Sequence, residues 1–388
     1  MTSDAPAASP SAPRGERLQG CFGDDVVLVT GFPSDRARAL VELLLEREPE
    51  ISLWLVVPPD QLEAAARHVP KNGQVDGRVR LVPGEPCAID LGLSRQTYAE
   101  LAARVDRWFS LYQTTDARAS RELCFRVNLG AAREIAELSK IAERLGHVTF
   151  LSSSVVFGDH RGAVGEQELA LGQSFRLPAG ESLAVAEALL RRSLAEVPLS
   201  IVRTPQVLGA RGAERTPRPS GLHRLLAILA AAPSEAALPL PPGANRPVQA
   251  VPADFVAEAL YAVSGLGTRG HAYHFADPDP PSLLEVLERA AEHFGKRFEH
   301  GSSARALGRL LLKSPGFWLS QQGARALSEW AEGPQLLTRG GDRLLERAGL
   351  RAPSLLDYLP SVLRETEQLL EHDRIDDSPP QTPFGAVA

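Results

Sequence analysis

The chain has 388 residues, 44% of them hydrophobic, enough to bury one large core or two ordinary ones. Its 42 basic and 48 acidic residues are interspersed and leave a formal net charge of −6, so no basic stripe marks it for nucleic acid. Cys21, Cys87 and Cys124 are odd in number and lack metal-ligand spacing, which argues against a disulfide framework or a zinc site and for a reduced, cytoplasmic protein.

Residues 1–17 are rich in Ser, Pro and Ala without the apolar core of a signal peptide, and residues 1–22 are expected to form a flexible tail. Residues 26–29 then make a β-branched and leucine run ending at Thr30-Gly31, the pattern of a buried parallel strand. Ala37, Leu40, Val41, Leu44 and Leu45 recur at three- and four-residue spacing, which predicts a helix that Ser34 can cap. Residues 51–57 supply the next strand and complete a βαβ unit. Further along, the pattern predicts a strand at 79–82, a helix at 95–105, a strand-like run near 108–112 and a long helix over about 127–145. A strand at 148–157, a helix at about 182–194, a strand at 199–202 and a Gly/Pro/Arg-rich loop at 209–219 follow.

This alternation predicts an α/β fold, a Rossmann-type doubly wound parallel sheet with a smaller, mostly helical C-terminal region on the substrate side. Residues 23–220 are expected to form the Rossmann-like domain and 221–371 a cap partly interleaved with its sheet. The polar, proline-rich stretch 372–388 reads as a second tail. No internal repeat is apparent, and no apolar run reaches the length of a membrane span; even 222–229 is broken by His223 and Arg224.

Seven segments in order carry a family resemblance: Val-Thr-Gly-Phe-Pro at 29–33; Gly84-Glu85 with Asp90-Leu91-Gly92-Leu93-Ser94; Val127-Asn128; Leu-Ser-Ser-Ser-Val-Val-Phe-Gly at 151–158; Val-Arg-Thr-Pro at 202–205; Val-Pro-Ala-Asp-Phe-Val at 251–256; and Tyr-His-Phe-Ala-Asp-Pro at 273–278. Together they resemble the extended short-chain dehydrogenase/reductases, and within them the acyl-CoA and thioester reductase (male-sterility-type) branch. The resemblance implies NAD or NADP. It places Thr30, Gly31, Phe32, Pro33, Ser34, Arg36 and Ala37 at the diphosphate loop, adds Asp60, Glu85 and Ser152 to the cofactor set, and puts Ser153 at the active-site hydroxyl.

The departures from that family concern chemistry. Glycines expected three and six residues after Gly31 are Ser34 and Ala37, and Ser34 adds a side chain where a diphosphate approaches the backbone. Asp35 repels a diphosphate unless Arg36 or Arg38 neutralises it, although Ser34 and Asp35 also make a good helix start. No arginine ends the second strand, and Asp60 suits a ribose hydroxyl, so the dinucleotide preference leans to NAD. Tyr112 and Gln113 replace the small alanines of the cofactor floor.

The family's proton transfer requires a Tyr with a Lys four residues later. Alignment puts Ala179 and Leu183 in those places. The residues four after Tyr98, Tyr112, Tyr261, Tyr273 and Tyr358 are Ala102, Asp116, Gly265, Asp277 and Val362, so the pair is absent from the whole chain. Ser153 and the loop histidine His160 remain as candidate catalytic groups. Asp159, Glu166 and Glu168 show no pattern beyond an acidic surface. The apolar stretch 307–319 reads either as a core helix ended by Pro315 or as an acyl-accepting or membrane-surface segment.

Three readings follow. The first is a catalytically impaired, nucleotide- or metabolite-responsive or partner-binding module whose cofactor binding is weak or absent. The second is an active NAD(P)-dependent oxidoreductase on an acyl thioester, sugar or sterol-like substrate with an unorthodox proton donor. The third is a structural interaction protein without nucleotide binding. In each, a nucleotide or acyl ligand is a small-molecule partner, nucleic acid is not, and the oligomeric state stays open.

Overall fold

Every residue of the first strand is buried, as a strand covered by helices on both faces requires. A computed structural model describes residues 25–71, 73, 77–193, 197–209, 221–231, 237–239, 244–299 and 333–371. The elements begin with β1 (Val26–Thr30), α1 (Asp35–Arg47), β2 (Ser52–Val57), α2 (Leu62–His68), β3 (Val79–Pro83) and α3 (Arg95–Arg104). They continue with β4 (Val105–Ser110), α4 (Gly130–Ile141), β5 (His147–Ser153), α5 (Pro178–Arg192), β6 (Leu199–Thr204) and α6 (Gly221–Ala231). The last are α7 (Ala253–Leu266), β7 (Ala272–His274), α8 (Leu283–Phe294), α9 (Arg339–Arg347) and α10 (Leu355–Glu371).

The seven strands form one sheet in the order β7-β6-β5-β4-β1-β2-β3, every neighbouring pair parallel. From β1 the chain winds outward through β2 and β3, then returns to the other side of β1 with β4. That reversal opens a crevice beyond the carboxyl ends of β1 and β4, where doubly wound sheets bind ligands.

Side chains sort by strand parity. Val27 and Val29 join Leu40, Val41 and Leu44 of α1 and Phe255 and Leu260 of α7 in one core. Val26 and Leu28 face the opposite core, built with Leu101 of α3, Ile135 and Leu138 of α4, and Leu183 and Leu190 of α5. A smaller third core joins α6, α8 and α10 through Leu222, Leu226, Val286, Leu287, Leu355, Leu359 and Val362. Since β7 and α7 come from beyond residue 221 yet complete the sheet and its helical cover, the C-terminal part of the chain is interleaved with the N-terminal part.

Several boundaries differ from expectation. The strand expected to reach residue 157 ends at Ser153, and Ser154–Phe157 is a 3-10 turn. The helix expected from 182 starts at Pro178, whose missing N–H is tolerated in a first turn. The helix expected over 127–145 is Gly130–Ile141, preceded by the π-helical turn Phe125–Leu129. Gly130 starts it because a Cβ there would lie 2.6 Å from the Cys87 carbonyl oxygen. The expected tails at 1–22 and 372–388, Cys21, residues 210–219 of the loop and the apolar stretch 307–319 lie outside the described residues.

Candidate functional site

The loop from β1 to α1 closes tightly on the exit of β4. Gly31 has φ +102°, and a Cβ on it would lie 2.6 Å from the Leu111 carbonyl carbon and 2.9 Å from the Tyr112 nitrogen. The one surviving glycine of the expected motif therefore serves this backbone approach. Thr30 is buried and its hydroxyl accepts from the Trp108 indole at 3.4 Å. Phe32, cis to Pro33, and Ala37 are fully buried in the core beneath α1. The side chains of Thr30, Phe32 and Ala37 thus pack inward, under the loop.

Ser34 stands at the N-cap of α1, but its hydroxyl does not cap the helix: the side chain makes no capping bond, and its Oγ is buried with no partner. Asp35 in the first turn is instead ion-paired to Arg38. Burial raises the Asp35 carboxyl above the ordinary carboxylate range while Arg38 pulls it down, and Glu365 of α10 adds to the rise. Glu365 is itself hydrogen-bonded to the fully buried His223 of α6 at 3.2 Å. The C-terminal helices thus close over the start of α1.

Arg36, one residue further, points across the crevice. The Gln113 amide, oriented to satisfy both its ends, donates to the Leu151 carbonyl of β5 at 3.0 Å and accepts from Arg36 Nη1 at 3.3 Å. Desolvation lowers the pKa of this guanidinium, yet the residue keeps solvent contact. Among the described residues it has no carboxylate within ion-pair distance.

Tyr112 is buried with Leu123, Val127 and Ala179, and its hydroxyl donates to Glu85 Oε1 at 2.5 Å. Cys87 donates to the same oxygen at 3.2 Å. Burial first, and the Glu85 carboxylate second, push the Tyr112 phenol far above its usual pKa and the Cys87 thiol up to about 12. Both groups stay protonated at neutral pH, which leaves neither a phenolate nor a thiolate at this end of the cleft. Asp60 is exposed just after β2 and acts on Tyr112 from the same side.

On α5, Ala179 and Leu183 are both buried, Ala179 against the Tyr112 cluster and Leu183 in the sheet core. Ser182, between them, accepts from Asn128 Nδ2 at 2.8 Å, and Asn128 also holds the backbone of Thr114 in both directions. Ser153 survives at the end of β5, where its Oγ accepts from the Val155 amide at 3.5 Å. His160 is half-buried on the following loop. Ser152, one residue earlier, faces the other side of the sheet and donates to Glu187 at 2.5 Å, so its hydroxyl is committed away from the cleft.

Sequence reasoning missed the network that Ser152 enters. Glu187 of α5 and Arg203 of β6 are fully buried and joined by contacts of 2.6, 3.0 and 3.1 Å. Arg203 Nη1 also donates to the Glu166 carbonyl at 3.0 Å and to His274 Nε2 at 3.1 Å. His274 Nδ1 therefore carries the proton and donates to the Leu337 carbonyl at 3.0 Å, a neutral tautomer consistent with a pKa lowered by burial and Arg203 to about 3. Glu166 is no mere surface acid: its carboxylate accepts the Gly340 and Gly341 amides at 2.7 Å each, at the start of α9. A signal was present, since an arginine inside an apolar strand must find a partner.

The male sterility protein family, an NAD-binding family, matches residues 29–260, and the chain belongs to it. This places it in the extended short-chain dehydrogenase/reductase superfamily, where its fold and family fit the thioester reductase-like members. No curated protein matches it significantly. Among solved structures, the terminal R domain of the myxalamid PKS-NRPS pathway is similar at 19% identity, TM-score 0.73, over 92% of this chain and 93% of that one. The reductase domain of a Mycobacterium tuberculosis nonribosomal peptide synthetase gives 20%, 0.68, 92% and 95%. Bordetella bronchiseptica WbmF, solved with NAD+ and UDP, gives 18%, 0.60, 92% and 96%. Among the described residues no helix is long and apolar enough to cross a membrane, and no group of side chains could hold a metal ion.

Proposed function

We propose that this chain is a reductase-fold, ligand-responsive module that does not carry out the hydride transfer of its family. The observation that carries the reading is α5, where Ala179 and Leu183 are buried in the places of the Tyr and Lys that would move the proton and hold the ribose. A methyl and an isobutyl group cannot replace them. The nearest phenol, Tyr112, is bonded to Glu85 and has its pKa raised, opposite to the lowering that general acid–base work requires.

The cofactor pocket fits NAD(P) only in part. Asp60, exposed after β2, suits a ribose hydroxyl, and the α1 N-terminus lies at the crevice. The Arg36–Gln113 contact crosses the space between β1 and β5, and Asp35 with Glu365 adds negative charge beside the diphosphate position. Cofactor binding is accordingly weak or absent, with NAD favoured over NADP. Residues 23–220 act as the nucleotide-binding unit and 221–371 as its cap. The free thiols Cys87 and Cys124 suit a reducing, cytoplasmic setting.

The test is titration of the purified chain with NADH and NADPH by cofactor fluorescence, beside turnover assays on an acyl-CoA and aldehyde panel. The expected result is no turnover and at most millimolar cofactor affinity. Saturable NADPH oxidation lost in Ser153→Ala or His160→Ala would replace this reading with that of an active oxidoreductase.

A further inference from the structure

One aromatic ring crosses the crevice at the carboxyl end of the sheet. In the strand order β4-β1-β2-β3, the exits of β4 and β3 lie three strand intervals apart, about 14 Å at the usual spacing. Tyr112, two residues beyond β4, and Glu85, two residues beyond β3, close that span with their 2.5 Å hydrogen bond. The two side chains therefore run across the exits of β1 and β2. Asp60, just beyond β2, is near enough to act on the phenol. Ala179 of α5, where the family carries its tyrosine, lies in the same buried cluster as the ring. An aromatic side chain buries on the order of 150–250 Å2 of surface, and Tyr112 is only 2% exposed, so this space is filled.

The ring is also held where it is. On one side of it the Leu111 amide donates to the Thr30 carbonyl at 2.9 Å; on the other, Gln113 donates to the Leu151 carbonyl and the Thr114 amide to Asn128 Oδ1 at 2.8 Å. Cys87 donates to the Glu85 oxygen that receives the phenol, which fixes the far end of the span.

We infer that Tyr112 is a built-in plug of the crevice, and that this one ring is the main barrier to a dinucleotide. The inference rests on the reading of weak or absent cofactor binding and names its cause. A dinucleotide laid from Asp60 at the β2 exit to Ser153 at the β5 exit has to pass the exits of β1 and β4, where the ring lies. Pushing the ring aside would break a charge-assisted hydrogen bond and open the cluster of Leu123, Cys124 and Val127, and a bound cofactor would have to offset both. A tyrosine that only supports the fold would leave cofactor affinity unmoved when trimmed.

The experiment titrates the full wild-type chain and single variants with NADH, followed by cofactor fluorescence and thermal shift, with urea unfolding to establish that each variant is folded. Tyr112→Ala is expected to raise NADH affinity by about tenfold or more. Tyr112→Leu, which keeps apolar bulk in the cluster and is the variant to read if Tyr112→Ala fails to fold, should raise it by about threefold. Tyr112→Phe keeps the ring and should match wild type. Leu123→Ala loosens the same cluster but leaves the ring in place, and it should match wild type too. Folded Tyr112→Ala or Tyr112→Leu without a gain overturns the inference. An equal gain in Tyr112→Phe or Leu123→Ala also overturns it, by assigning the exclusion to the hydrogen bond or to general loosening. Tight, saturable NADH binding by the wild-type chain overturns instead the reading beneath it, and the wild-type titration alone reveals that failure.

Discussion

Arg203 and Arg36 both carry a guanidinium into the interior, and their surroundings could hardly differ more. Arg203 is fully buried, bonded to both oxygens of Glu187, to the Glu166 carbonyl and to His274, and it lies over the Phe157 ring at 4.8 Å. Arg36 has one neutral acceptor and an open side. The first arrangement joins α5, β6, β7 and the loop carrying Glu166, so its charges are spent on the fold. The second leaves charge available at the point where this sheet topology binds ligands. One arginine is thus spent on a polar joint of the scaffold, while the other has a single neutral acceptor beside the cleft.

The largest expected effect lies on the saturated side. Glu187→Gln leaves the fully buried Arg203 without a carboxylate, which should cost about 3–5 kcal/mol in urea unfolding, and Arg203→Met, which leaves Glu187 only the longer pair with Arg191 at 3.8 Å, should cost somewhat less. The double variant Glu187→Leu/Arg203→Met should lose much less than the sum, because the charge left behind, Arg191, is only partly buried. Additive losses would show that the two residues act independently and would remove one half of the contrast.

Acid should strain the scaffold at another place, the amino end of β5. Burial, with Arg269 and Arg107 nearby, holds the His147 imidazole down to about 4. A folded-state value below the ordinary one near 6.5 means the unfolded chain takes up the proton first, so stability is full above about pH 6.5 and falls as pH drops toward 4. The loss attributable to His147 is about 3 kcal/mol. Asp25, whose carboxyl burial raises to about 6, works the other way between pH 6 and 4, so the wild-type curve mixes both. The informative measurement is the difference between wild type and His147→Gln: the variant should gain relative stability as pH falls from 6.5 to 4, and a flat difference would refute the assignment.

Gly31 tests the wall shared by scaffold and cleft. Gly31→Ala forces a Cβ to within 2.6 Å of the Leu111 backbone at a φ of +102°. The cost should be about 2–3 kcal/mol in unfolding free energy. Near-neutral behaviour would mean that β1 and β4 separate easily at their exits.

Much of the scaffold was legible in the sequence because strand and helix periods are local. The run at Val26–Thr30 and the spacing of Leu40, Val41 and Leu44 needed no knowledge of the rest of the chain. The ordered family segments fixed which strand ends meet at the crevice. What stayed hidden depended on register across the sheet. Ser152 and Ser153 are adjacent in sequence yet serve opposite faces, and Glu166 meets Gly340 and Gly341 only because the chain returns from far beyond it. Ser34 read as a helix cap on residue type alone, whereas its hydroxyl makes no capping bond. Arg36 was expected near a phosphate, but its hold on Gln113 required the fold.

The smallest expected effect is the sharpest test of the comparison. Arg36→Gln should change the unfolding free energy of the unliganded protein by less than about 1 kcal/mol, because the lost hydrogen bond to Gln113 is offset by removal of a desolvated charge. Gln113→Leu should cost more, since it leaves the Leu151 carbonyl and the guanidinium both without their partner. That ranking, a charged residue cheaper to remove than its neutral neighbour, is the reverse of what Arg203 and its partners should give. A loss at Arg36 as large as at Arg203 would make both arginines structural, and the cleft would have no spare charge to offer a ligand.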